Sequence, residues 1–164
     1  MRRSIFDSLQ GELEGARWLD LFAGSGAFGL EALSRGAAHA TFVEAGAQVV
    51  RSLRENLARF ALGADEAALL TATLPDLLLA PPPPAAPYDF ISLDPPFAVS
   101  RQGDSLRALV GALGAAGAAG WWRPGALLLW EEPSDAPAPA PAGFVEEERR
   151  DHGVSRVRRL RFRG

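Results

Sequence analysis

The chain has 164 residues, no cysteine, a formal charge of −3 and 48% hydrophobic residues. It is too short for two ordinary domains and too apolar for disorder, so a single domain spanning 1–164 with a real core is expected. Without cysteine there are no disulfides, thiolate metal sites or cysteine nucleophiles. His39 and His152 alone leave little for a histidine metal site, so no metal is expected. No run approaches the roughly 20 apolar residues that cross a bilayer. No charged-then-apolar leader opens the chain, so a soluble, cytoplasmic monomer is expected.

Strand and helix patterns alternate along the chain, as in an α/β domain with a mainly parallel sheet. Ile5, Phe6, Leu9 and Leu13 recur at helical spacing and predict an opening amphipathic helix. Trp18–Phe22 reads as a buried strand ending in a glycine turn, followed by a helix over Ala27–Ser34 with Gly36 as its terminator. Ala40–Val43 is the second strand, and Val49, Val50, Leu53, Leu57 and Phe60 mark the next helix. Leu69–Thr73 is a short third strand. Leu74–Leu79 allows a turn or two of helix before the stiff Pro81–Pro84 linker.

Tyr88–Leu93 is the fourth strand, stopped by Asp94-Pro95-Pro96-Phe97. A helix over Asp104–Ala119 follows, with Gly111, Gly114 and Gly117 permitting close packing. Ala126–Trp130 is the fifth strand, and Pro133–Pro141 is a loop. Phe144–Arg150 and Val154–Phe162 alternate around a turn at His152-Gly153, which predicts a terminal antiparallel hairpin.

Two places could carry chemistry. Asp20-Leu21-Phe22-Ala23-Gly24-Ser25-Gly26 leads from a strand into a helix, and Gly24, Gly26 and Gly29 keep the spacing that lets backbone approach a ligand. Glu44-Ala45 follows at the end of the next strand, where a carboxylate accepts hydrogen bonds from ribose hydroxyls. A dinucleotide and a sulfonium nucleoside both fit that pattern. Asp20, expected to face the same crevice, would repel a pyrophosphate and welcome the sulfonium and amine of S-adenosylmethionine. At the second place, two prolines stiffen the corner so that the Asp94 carboxylate and the Pro95 carbonyl point at one spot. Two acceptors there suit an amine, and Phe97 offers a surface for a base to stack on.

On these residues the chain resembles the class I S-adenosylmethionine-dependent methyltransferases, and more narrowly the RsmD-type 16S ribosomal RNA guanine-N2 methyltransferases. The resemblance is carried by Arg3–Leu9, Leu19–Ala37, Phe42-Val43-Glu44, Asn56-Leu57 and Tyr88–Phe97. It implies a Rossmann-like, seven-stranded, mainly parallel sheet and methyl transfer to a guanine amine in small-subunit rRNA. It further implies that Asp20, Phe22, Ala23, Gly24, Ser25, Gly26, Glu44, Ala45, Ala72 and Thr73 line the cofactor. Asp94, Pro95, Pro96 and Phe97 would hold the base. The partner would be ribosomal RNA or the assembling small subunit. Two departures stand out. The family's basic hairpin before the first helix has no counterpart ahead of Met1, so the expectation is either reduced RNA affinity or activity or a misassigned start site. Ala72-Thr73 replace the acidic residue that holds the adenine amine after strand three.

All 17 basic residues are arginine, and seven lie between Arg149 and Arg163 with Asp151 as the only acid among them. This stretch, with Arg2 and Arg3, reads either as a charge-guarded strand edge or as a set of phosphate contacts. Rival readings are an amine methyltransferase acting on adenine N6 or a glutamine amide, a non-catalytic RNA-binding module, and a nicotinamide oxidoreductase, against which Asp20 counts.

Overall fold

The computed structural model describes residues 2–101 and 103–164. Seven strands form one sheet: β1 (Arg17–Leu21), β2 (His39–Glu44), β3 (Ala67–Thr71), β4 (Tyr88–Leu93), β5 (Trp122–Pro133), β6 (Phe144–His152) and β7 (Ser155–Phe162). Their order is β3-β2-β1-β4-β5-β7-β6. The first five run parallel, whereas β7 is antiparallel to both β5 and β6. The helices are α1 (Arg2–Ser8), α2 (Ala27–Ser34), α3 (Ala47–Arg59), α4 (Phe97–Arg101) and α5 (Gly103–Ala118), with a 3-10 turn at Asp76–Leu79.

Two apolar cores flank the sheet. On one face Phe6, Trp18, Phe42, Leu53 and Phe90 pack together; Trp18 is stacked between Phe6 and Phe90 at ring distances of 5.2 and 5.4 Å. On the other, Leu19, Leu21, Ile91, Leu113, Trp121 and Trp130 form the core with α5. Strand order reverses between β1 and β4, so their carboxyl ends open the crevice where α/β sheets place ligands.

Several boundaries differ from the sequence reading. The first helix stops at Ser8, while Leu9 and Leu13 stay buried in the turns that follow, where Gly11 adopts a φ of 90°. Met1 lies outside the described residues. β3 ends at Thr71 because its ladder runs out opposite Glu44, the last residue of β2. β5 begins earlier, at Trp122, which pairs with Tyr88 across an irregularity in the register. The hairpin turn is Gly153-Val154, because His152 pairs with Ser155. Phe97, the last residue of the stop after β4, opens the short helix α4.

Candidate active site

The glycine turn after β1 is built by backbone demands. Phe22 and Gly26 both take left-handed φ values, 56° and 78°. A Cβ on Gly26 would meet Leu53 at 2.6 Å, and one on Gly29 would clash with the Phe42 ring. Glycine at these two places lets α2 start tightly and lie flat on β2. Asn56 of α3 ties the turn from outside, donating to the Ser25 carbonyl at 3.3 Å.

Glu44 ends β2 and binds this turn directly. Its Oε2 accepts from the Gly24 N–H at 3.1 Å, and its Oε1 accepts from the Ala45 and Gly46 N–H groups at 2.9 and 3.1 Å. The carboxylate is half-buried and retains lone pairs beyond those three bonds.

Asp20, expected to face the crevice, is 3% exposed and lies beneath the turn. Its Oδ2 accepts from the Gly29 N–H at 3.1 Å, and its Oδ1 accepts from the Ser92 hydroxyl at 2.6 Å. Strand side chains alternate between faces, so Asp20 shares the face of Trp18, where α2 lies over it and the Gly29 N–H reaches it. Burial pushes its carboxyl up to about 7; Ser92 and Gly29 pull it back, while Asp94 and Glu44 push it further. Among the described residues no cation forms an ion pair with it.

Asp94 follows β4 and is exposed. It makes no hydrogen bond or ion pair among the described residues. Burial of its surroundings raises its carboxyl to about 6, and the Glu131 carboxylate adds to the rise. Register explains the neighbour: Leu93 pairs with Trp130, so Asp94 and Glu131 come level at the ends of β4 and β5. The Pro96 carbonyl accepts from the Val99 and Ser100 N–H groups at 2.8 and 3.1 Å and so starts α4. The buried Pro95 has no such partner on its carbonyl among the described residues. Phe97 is 48% exposed.

Ala45, Thr71, Ala72, Thr73, Asp76 and Leu77 line an open depression of about 510 Å³ beyond Glu44. Thr73 donates to Asp76 at 3.1 Å, so an acid stands beside the place where the sequence shows Ala72-Thr73. Sequence reasoning passed over Asp76 because it lies in the 3-10 turn, outside any strand-end pattern. It also passed over Ser92, an ordinary-looking strand residue.

Of the two readings of the arginine-rich hairpin, the ion pairs favour the charge-guarded strand edge. Arg156 pairs with Asp151 at 2.6 Å, Arg161 and Arg163 with Glu147 at 3.1 and 3.2 Å, and Arg150 with Glu148 at 2.6 Å. Arg149 reaches Glu146 at 3.6 Å and Arg159 reaches Glu148 at 3.9 Å. Arg158, 5% exposed, bonds Glu146 at 2.6 Å and the Ala138 carbonyl at 2.7 Å, with Glu132 at 3.5 Å. The antiparallel register lays Glu146–Glu148 against β7, which neutralises a cluster that looks basic when only 149–163 is counted. These arginines are not a free phosphate-binding face. Arg2 and Arg3 remain exposed.

A parallel sheet reversing between β1 and β4, closed by one antiparallel hairpin, is the architecture of the class I methyltransferases. The Haemophilus influenzae protein HI0767 shares it with a TM-score of 0.83 at 27% identity, covering 99% of this chain and 96% of that one. Escherichia coli yhhF does so at 0.83 and 31%, covering 99% and 84%. Residues 1–161 match the family described as Conserved hypothetical protein 95, and the chain belongs to that family, the RsmD-type methyltransferases.

Over 154 residues the chain is 28% identical to ribosomal RNA small subunit methyltransferase D of Haemophilus influenzae, spanning 94% of this chain and 76% of the relative. It is 39% identical over 97 residues to the Escherichia coli K12 protein of the same name, where the match spans 59% of this chain and 46% of the relative.

Proposed function

We propose that this protein transfers a methyl group from S-adenosylmethionine to the exocyclic N2 amine of a guanine in small-subunit ribosomal RNA, in the cytoplasm. The names of its curated relatives support methylation of small-subunit rRNA. The observation that carries the guanine-amine reading is the Asp94 corner. A carboxylate with no hydrogen-bond partner among the described residues stands there beside a Pro95 carbonyl that is likewise free among them and a half-exposed Phe97, next to the glycine turn.

The residues fit the cofactor on one independent ground. A carboxylate buried beneath the turn with no counter-cation, Asp20, suits a ligand that brings a positive charge. When bound, S-adenosylmethionine supplies an activated methyl group on a sulfonium. Glu44 would take the ribose hydroxyls, exchanging or sharing its backbone partners. Asp76, together with the Ala72 and Thr73 backbone, would face the adenine and supply the acceptor missing at Ala72. Phe22, Ala23, Gly24, Ser25 and Gly26 would wrap the remainder, with Ala45 at the edge.

At the base, Asp94 and the Pro95 carbonyl would each accept one N–H of the amine, which leaves the nitrogen lone pair directed at the methyl group. Phe97 would stack on the ring. Orientation of this kind is worth about 7–11 kcal/mol in well-aligned systems, so neither a covalent intermediate nor a metal is called for. The target base must be unpaired or flipped out of its stack.

The test is methylation of small-subunit rRNA from a strain lacking this gene, as naked RNA and as assembling particles, with the modified atom mapped by mass spectrometry. A single N2-methylguanine is expected. Methyl on adenine N6 or on a protein glutamine would overturn the substrate, and absence of any transfer would overturn the activity.

A further inference from the structure

Asp20 is held by a chain of three hydrogen bonds that begins outside the glycine turn. The Trp18 indole N–H donates to Ser92 Oγ at 2.8 Å, the Ser92 hydroxyl donates to Asp20 Oδ1 at 2.6 Å, and the Gly29 N–H donates to Asp20 Oδ2 at 3.1 Å. All the residues involved are buried. A serine hydroxyl carries one proton. With its acceptor side taken by the indole, that proton has two destinations: Asp20, or the Leu19 carbonyl at 3.5 Å. The 2.6 Å contact lies in the range of a hydroxyl bonded to a charged carboxylate. The indole cannot swing away, because Trp18 is stacked between Phe6 and Phe90.

We propose that Ser92, oriented by Trp18, is the positioning residue that keeps a negative charge on Asp20 beneath the glycine turn, and that this charge makes the site prefer the cationic methyl donor over its uncharged-sulfur product. The inference rests on the donor reading above and assigns the preference to residues outside any ligand contact. Three influences oppose the charge: burial, the Asp94 carboxylate after β4 and the Glu44 carboxylate at the end of β2. The Ser92 hydroxyl and the Gly29 N–H, at the positive end of α2, oppose them. Asp20 therefore takes up a proton more readily beside the product, because S-adenosylhomocysteine lacks the sulfonium charge that favours the ionised carboxylate.

The test is the dissociation constant of S-adenosylmethionine and of S-adenosylhomocysteine, by calorimetry, between about pH 6 and about pH 8.5. The variants are Ser92→Ala, Ser92→Thr and Trp18→Phe. Loss of one charge-assisted hydrogen bond is worth about one pKa unit, so Ser92→Ala is expected to weaken the methyl donor about fivefold near pH 7. The loss should shrink below about twofold near pH 8.5, where Asp20 ionises without help. The product should weaken less at every pH. Ser92→Thr, which keeps the hydroxyl, should restore the donor preference. Trp18→Phe should act in the same direction as Ser92→Ala but less strongly, and provides the readout if Ser92→Ala fails to fold. Equal losses for both ligands, or a donor-to-product ratio independent of pH, would overturn the role of Ser92. A wild-type protein that binds neither ligand would overturn the donor reading itself and this inference with it.

Discussion

The mouth of the parallel sheet and the carboxyl-terminal hairpin handle charge in opposite ways. At the hairpin every arginine from Arg149 to Arg163 has a carboxylate within 4 Å, and the buried Arg158 has two. At the mouth, Glu44, Asp20 and Asp94 sit at the ends of three adjacent strands with no arginine among their hydrogen-bond partners. Glu44 and Asp20 are held by N–H and O–H dipoles, and Asp94 by no hydrogen bond among the described residues. Dipoles hold a carboxylate in place without cancelling its charge, so a positive ligand finds that charge still available. Paired charges build structure; these unpaired ones are a standing cost to the fold that suits a binding site.

That contrast can be broken most sharply at Asp94. Asp94→Ala should lower methyl transfer by on the order of 10³-fold while leaving S-adenosylhomocysteine affinity within a few-fold, read by single-turnover kinetics alongside calorimetry. Equal loss of both would make Asp94 a structural residue. Arg158→Ala should do the opposite. It strands the buried Glu132, which already has one unpartnered oxygen, and should lower unfolding free energy by about 3–5 kcal/mol with cofactor affinity unchanged in the folded protein. Denaturant titration checks it; a loss below about 1 kcal/mol would mean that the pair behaves as a surface bridge.

Glu44→Ala should weaken S-adenosylmethionine binding about 10- to 100-fold and leave the rate at saturation nearly intact. Titration matching wild type would remove the ribose assignment.

The subtlest expectation concerns pH. Asp20 ionises near 7 in the fold against an ordinary 3.8, so the folded state binds more protons between those values. Stability should therefore fall as pH rises from about 4 to about 7 and level off above it. Asp94, raised to about 6, bends the curve the same way. Thermal melting of the ligand-free protein should show this decline, and Asp20→Asn should flatten most of it. A melting temperature that rises across that range would contradict the burial of an unpaired Asp20.

Much of this was legible in the chain. Ala27–Ser34 and Tyr88–Leu93 run over the same residues in the reading and in the structure, because apolar spacing, Gly26 and the Pro95-Pro96 stop are local signals. β3 and the first helix shifted, because their ends are decided by ladder pairing and by turns rather than by composition. At the site, Gly24 and Gly26 follow β1, Glu44 ends β2 and Asp94 follows β4, positions that local sequence signals mark. Asp76 carries no motif and was found only by its place in the depression. The arginine cluster stayed open between two readings because its carboxylates, Glu146–Glu148, lie just ahead of Arg149 and meet the arginines only across the hairpin.

By itself the sequence determined the alternation of strands and helices, the glycine turn and the proline corner, since each follows from the conformational limits of residues within a few positions of one another. Only the tertiary structure decided what each charge meets. Ser92 lies 72 residues from Asp20 and 74 from Trp18, and Arg158 lies 26 from Glu132. Such partners are chosen by strand order and register, and the ionisation of a carboxyl depends on whichever dipoles and charges that choice brings within reach.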